Sequence, residues 1–261
     1  MALSQARVKR VAAVPVPREP LRNAPFPGEH PVLEAAVSAL SQGEPILVFD
    51  SPTREGETDL VALSERMTPE LVRTLRQQGG GLLCATLPEP IRALLELPYL
   101  ADVLQETGTR HPLLPRMIPS TFRYDRRSAF GIPINHRDTF TGIPDRDRAL
   151  TILRLGEFVR WAVELPAARA QERFAREFVT PGHVPLLYAA PDLLRERRGH
   201  TELTTALAEM GGLTPSLALC EMLSDDGGPL SPGAARKLAA RKGWTFVEGR
   251  EILEAWSQWS A

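Results

Sequence analysis

From residue 31 onward the apolar positions of this chain follow two rhythms. Val32, Leu33, Ala36, Val37 and Leu40 recur at helical spacing, and Gly43 follows as a C-terminal stop. Pro45 opens a short apolar run, PILVF, that predicts a buried strand. Thr68-Pro69 supplies an N-cap and a first-turn proline for a helix through Leu71, Val72 and Leu75, ended by Gly79-Gly80-Gly81. LLCATL (82–87) reads as a second buried strand, and the proline-rich residues 88–120 as short helices and loops. SAFGIPIN (128–135) is a strand interrupted by Pro133, hence an edge or irregular strand.

A helix is predicted from Asp145 to Leu165, carried by Leu150, Ile152, Leu153 and Leu155. VPLLYAA (184–190) and LALCEML (217–223) read as strands. Between them lie a loop, LLRERR, and a helix, TELTTALAEMGG, ending at Gly211-Gly212. ARKLAARKG is a helix closed by Gly243, WTFVEG a strand and REILEAWSQW a last helix. Short strands intermixed with helices predict one α/β domain over 31–261, a three-layer sandwich around a mixed β-sheet. Residues 1–30, rich in Pro, Arg and Ala without sustained periodicity, read as a tail or arm. No internal repeat is visible.

Composition narrows the partners more than the fold. The net charge is -1 and the arginines are scattered, so no bulk field favours nucleic acid or an anionic membrane. No apolar run approaches the ~20 residues that span a bilayer. The N-terminus shows no signal-peptide pattern, so a cytoplasmic location is expected. Cys84 and Cys220 sit in apolar runs without CxxC spacing, which argues against a disulfide framework and a zinc site.

Five segments carry candidate chemistry. FDSPTREGETD (49–59) concentrates Asp50, Glu55, Glu57 and Asp59, with only Arg54 to offset them. In an extended segment Glu55, Glu57 and Asp59 share a face, so they either meet a cation or take up protons. The other reading is a solvated acidic loop. RRGHTE (197–202) places Gly199 before His200 and Thr201 at a helix start, where backbone N–H groups with Arg197 or Arg198 suit a phosphate and His200 suits a metal. An ordinary cap with an exposed histidine is the alternative. NHRDTFTGIPDRDRALTI (135–152) crowds His136, Asp138, Thr139, Thr141, Asp147 and Arg148 into a loop before a helix, with Thr141 or Asp145 as possible caps. TPGHV (180–184) reads as a structural Pro-Gly turn. Glu221, beside Cys220 in an apolar strand, is costly to bury unless paired or functional.

Taken in order, FDSPTREGETD, GGGLLCATL, HRDTFTGIPDRDRALTI, FVTPGHVPLL, RRGHTE and CEMLSDDG resemble the 3,4-dihydroxy-2-butanone 4-phosphate synthases of riboflavin biosynthesis over roughly residues 31–248. The resemblance implies a lyase that converts ribulose 5-phosphate into 3,4-dihydroxy-2-butanone 4-phosphate and formate. It implies a mixed-sheet α/β sandwich, a divalent metal (Mg²⁺ or Mn²⁺) and a homodimer with sites at the subunit interface. Glu55 and His200 match the metal ligands. Arg54 and Glu55 match the REGE start, Asp59 a substrate-hydroxyl contact, and Glu57 and Glu221 acid/base positions. Arg197, Gly199 and Thr201, with Arg198 beside them, match the phosphate-binding part, which with His200 and Glu221 completes the substrate-binding set. Cys84, His136, Thr141 and Asp147 match positions near the catalytic centre.

Departures from the pattern are Ser51-Pro52-Thr53 where many members carry an acidic run, and Gly79-Gly80 where many have Thr-Ser. DRRSAF stands where many have a histidine, and 156–177 is a longer connection. No zinc-type cysteine trio follows residue 248, so no fused cyclohydrolase domain is expected. The competing classes are another metal-dependent sugar-phosphate enzyme and a non-catalytic sugar-phosphate binder.

Overall fold

The structure is a computed structural model and describes residues 29–120 and 123–260. The tail expected over 1–30 lies almost wholly outside the described residues. Helix α1 (Pro31–Gln42) is followed by β1 (Ile46–Phe49) and β2 (Thr58–Leu63). Then come α2 (Pro69–Gln78), β3 (Cys84–Leu87), α3 (Glu89–Leu94), α4 (Leu100–Glu106), α5 (Leu113–Met117) and β4 (Phe130–His136). Next are α6 (Asp145–Ala162), α7 (Ala167–Glu177), β5 (Phe178–Tyr188), α8 (His200–Met210) and β6 (Leu217–Glu221). The described chain ends with α9 (Pro232–Lys242), β7 (Phe246–Glu248) and α10 (Gly249–Trp259).

The helix boundaries follow local chemistry. Gly43 closes α1 in the left-handed region at φ 83°, where its N–H reaches the carbonyls of Ala39 and Leu40. Thr68 caps α2 by accepting the Leu71 N–H at 3.1 Å. Glu248 and Glu251 form a capping box at the start of α10. Gly199 precedes α8 with no side-chain cap, which leaves first-turn N–H groups of that helix without a side-chain acceptor.

The seven strands form one mixed sheet in the order β4-β5-β3-β6-β2-β1-β7. The β3–β5 and β1–β7 pairs are parallel and the other four antiparallel. Alternate residues of each strand face opposite ways. Leu47, Leu60, Ala62, Ala85 and Ala218 pack with α2 and α6 on one face, while Val48, Val61, Leu63, Leu217 and Leu219 pack with α1, α8 and α10 on the other. Two cores on one sheet make the three layers that the sequence predicts. Helix α8 is buried on every side except at Glu209, and its threonines are satisfied internally: Thr204 and Thr205 donate to the carbonyls of His200 and Thr201 at 2.8 and 2.7 Å.

Three elements differ from expectation. TDLVAL is a fully buried strand, β2, although the acidic run before it reads as loop. The long connection after α6 contains a helix of its own, α7. TPGHV is not a free turn. Ile134 pairs with Val184 and Asn135 with Val179, so Thr180–His183 is a bulge inside β5. Asn135 holds the bulge by accepting the His183 N–H at 2.8 Å. As the pattern around Pro133 predicts, β4 is an irregular edge strand.

Candidate active site

Asp50, which follows β1, is the hinge of the acidic loop. It is 3% exposed, and its two carboxylate oxygens accept the N–H groups of Glu55 and Glu57 at 2.9 and 3.0 Å. Gly56 makes the turn at φ 71°, a conformation a side chain would strain. The chain re-enters the sheet as β2, where Asp59 lies directly opposite Glu221 of β6. Both share the parity of residues that pack toward α8, so two carboxylates face the same layer. Gly81 has no room for a side chain because Glu221 lies over it, and the Glu221 carboxylate accepts the Leu82 N–H at 2.7 Å.

His200, the first residue of α8, comes to these acids from a distant part of the chain. Its Nδ1 is 3.6 Å from Glu55 Oε2, and its Nε2 is 3.7 Å from Asp59 Oδ1 and 3.2 Å from the Glu57 carbonyl oxygen. Ligand atoms of Asp50, Glu55 and His200 all lie within 4.8 Å of one another. Asp59 Oδ1 is buried and, among the described residues, has no hydrogen-bond partner. Hard carboxylate oxygens, one imidazole and an unsatisfied buried acceptor fit a small divalent cation that keeps several waters.

Arginines border the acids. Arg54 Nη1 is 2.7 Å from Glu55 Oε1 and 3.6 Å from Asp50 Oδ2. Arg197 Nη1 donates at 2.7 Å to Glu202 Oε2, which is fully buried and also accepts the Ala190 N–H through Oε1 at 3.0 Å. Thr201 is buried in the first turn of α8, whereas Arg198 is exposed and outside this network.

The carboxylates are not electrostatically equivalent. The His200 ring beside Glu55 draws its pKa to about 2 against the opposing effect of burial, with Arg54 helping. Burial, then Asp59's acidic neighbours, raise Asp59 to about 7 although His200 pulls the other way. Burial and the Glu55 charge raise Glu57. For His200, burial opposes the charged ring, but Asp59, Glu55 and Asp50 outweigh it and lift the pKa to about 9.

These shifts set a pH dependence for the metal-free protein. Asp59 titrates near 3.8 ordinarily and near 7 here, so its penalty to the fold is absent below the first value and complete above the second. His200 contributes stability fully below 6.5 and loses it as the pH passes 9. Glu55 contributes above 4.5 and loses that only as the pH falls toward 2. Without metal, the melting temperature is therefore expected to fall from pH 5 to pH 9; thermal melts that rise over that range would contradict the assignment.

Other residues singled out in the sequence lie elsewhere in one chain. Burial opposes the charge on Asp147, but N–H groups of Gly142, Thr141 and Phe140 at 2.8, 3.0 and 3.1 Å hold its pKa low, so its carboxylate ties down the loop before α6. His136, at the end of edge strand β4, packs edge-on against Phe178 and accepts the Asp138 N–H. Among the described contacts, none joins His136, Thr141 or Asp147 to the Glu55–His200 cluster. Cys84 is buried near Glu221 and Asp59, and burial pushes its thiol well up. Asp125 and Glu202 were not singled out in the sequence. Glu202 carried a signal, the one acid between His200 and Glu209 in TELTTALAEMGG. Asp125 carried none.

The fold and site define an α/β protein in which carboxylates and a histidine converge where a divalent cation could sit, beside a helix start that has no side-chain cap. A model of the 3,4-dihydroxy-2-butanone 4-phosphate synthase family matches residues 34–255, so the chain belongs to that family of riboflavin biosynthesis lyases, which act on ribulose 5-phosphate. A protein of that name from Methanosarcina mazei is 42% identical over 231 residues, covering 87% of this chain and 92% of its own. One from Methanothermobacter thermautotrophicus is 40% identical over 228 residues, covering 87% of this chain and 96% of its own. A solved 3,4-dihydroxy-2-butanone 4-phosphate synthase in complex with two magnesium ions matches with a TM-score of 0.64 at 26% identity, over 83% of this chain and 92% of that one. No described helix is long and apolar enough to cross a membrane.

Proposed function

We propose that the family reaction, release of formate from ribulose 5-phosphate, runs at the Glu55–His200 cluster within a single catalytic domain from residue 31 onward. The observation that carries this is the convergence of Glu55, Asp59 and His200 from β2, the loop before it and α8. Glu55 and His200, whose ligand atoms lie together, are the residues that would hold Mg²⁺ or Mn²⁺; a similar solved structure is in complex with two magnesium ions. A bound divalent cation polarises carbonyl and hydroxyl oxygens of a ketose, which makes the neighbouring C–H more acidic.

The remaining work falls to protein groups. Glu57, with its raised pKa and no side-chain partner among the described residues, is placed to take a proton from the sugar as general base. Asp59, buried and with its Oδ1 unpartnered among the described residues, is placed to hydrogen-bond a substrate hydroxyl. Glu221, opposite it, supplies a second carboxylate for the proton transfers that accompany dehydration and skeletal shift. Arg197 and the N–H groups at the start of α8 suit the phosphate, which anchors the substrate away from the reacting carbons.

Incubation with ribulose 5-phosphate and Mg²⁺ tests this: one formate and one four-carbon phosphate are expected per substrate, and isomerisation without formate would refute it. Glu55→Gln is expected to raise the Mg²⁺ concentration for half-maximal activity by roughly 10- to 100-fold. An unchanged Mg²⁺ titration would remove Glu55 from the ligand set.

A homodimer with sites at the interface belongs to the same reading. Phe140 is 85% exposed and Ile143 51% on the His136–Asp147 loop, and Leu82 and Leu223 are half exposed beside Glu221. Apolar side chains on both patches support a contact that would bring the loop of one subunit to the site of another. The two free thiols, Cys84 and Cys220, suit the reducing cytoplasm.

A further inference from the structure

The segment that leads into β4 carries an acid at a junction the reaction scheme above does not use. Asp125 Oδ2 accepts from Arg54 Nη2 at 2.8 Å and from Arg197 Nε at 2.9 Å. Arg197 continues to the fully buried Glu202, and Arg54 to Glu55. An unbroken line of alternating charge, Glu202–Arg197–Asp125–Arg54–Glu55, thus runs from the interior of α8 to the candidate metal ligand.

Two further features show that this line is built into the fold. A Cβ on Gly199 would lie 2.8 Å from Arg197 Nη1 and 2.9 Å from Arg54 Nη2, so the glycine leaves the space that both guanidinium groups occupy. Guanidinium groups so close repel unless a carboxylate lies between them, and Asp125 is that carboxylate. The residues around Asp125 also roof a cavity of about 330 Å³ whose other walls include Tyr99, Tyr188, Arg197 and Glu202. Asp125 thus joins Arg197, a wall of this cavity, to Arg54, which contacts Glu55 in the acid cluster.

We propose that Asp125 is a positioning residue for the reaction. It holds Arg197 toward the substrate phosphate and Arg54 against Glu55, and it touches neither substrate nor metal. The inference rests on the formate-releasing reading of the site. Because the phosphate is gripped alike before and during the reaction, loss of Asp125 acts mainly on substrate binding.

The test is steady-state kinetics of Asp125→Asn, Asp125→Ala and Asp125→Glu beside the unaltered protein, with Mg²⁺ saturating and formate as readout. Asp125→Ala is expected to raise KM for ribulose 5-phosphate by roughly 10- to 100-fold, with kcat changed by less than about 5-fold. Asp125→Asn, which keeps an acceptor oxygen, should lose less, and Asp125→Glu should recover part of the loss. A melting temperature within about 4 °C of the parent shows that the effect is not unfolding. Unchanged KM and kcat in Asp125→Ala would overturn the proposal. So would a lowered KM, which would mean that Asp125 competes with the phosphate for the arginines. If the unaltered protein releases no formate, the reaction assignment fails instead, and the two failures stay distinct.

Discussion

Replacing Glu57 with glutamine is expected to lower kcat by about 10²- to 10⁴-fold while leaving the fold intact, the range associated with removing a positioned general base. Glutamine has nearly the same shape and can still fill the site, but it cannot accept a proton at neutral pH. Glu57 is half-buried, and among the described residues its carboxylate makes no hydrogen bond or ion pair, while its backbone N–H and carbonyl remain with Asp50 and His200. Removing its charge also relieves repulsion from Glu55. The melting temperature should therefore stay within about 3 °C of the parent. Rate measurements with single-turnover formate release would check the chemical step itself. Retained turnover together with a large loss of stability would show that Glu57 supports the structure and not the chemistry.

Glu202→Ala is expected to do the reverse, acting first on stability. Glu202 is fully buried, and its two oxygens serve Arg197 and the Ala190 N–H. Burial raises its pKa even with Arg197 beside it, so the pair is retained against a desolvation cost. Alanine would strip Arg197 of its fully buried partner, leaving it only Asp125, and would leave Ala190 with an unsatisfied donor. Breaking one side of such a pair costs about 3–5 kcal/mol, well above the median for an exposed pair. Denaturant unfolding should show that loss, and Glu202→Gln, which keeps an acceptor for Ala190, should show a smaller one. An unchanged unfolding midpoint in Glu202→Ala would mean that the Arg197–Glu202 contact carries little of the stability of α8.

Much of this molecule is legible in one dimension because local chemistry decides it. Helix spacing, the Thr68 cap and the glycine stops at Gly43 and Gly243 place α1, α2 and α9 within a few residues of where they form. The irregular edge strand follows from Pro133, which cannot donate to a ladder. Strand β2 was obscured because its core residues follow directly on an acidic run that reads as loop. The bulge in β5 looked like a turn because proline and glycine give the same local signal whether or not the flanking residues pair across a sheet.

By itself the sequence determined the layers, the residue types of the site and, through its ordered motifs, the family. Tertiary structure alone decided which of those residues act together. Asp59 faces Glu221 because β2 and β6 pair in one register, and His200 meets Glu55 because α8 packs on the face to which both acids point. It also separated His136, Thr141 and Asp147 from that cluster within one chain, and brought in Asp125 and Glu202. The physical reason is that burial and neighbouring charge depend on distance in space. Four nearby carboxylates in FDSPTREGETD are chemically alike in the sequence, and folding makes Glu55 a strong acid, Asp59 a weak one and Asp50 a brace for the loop.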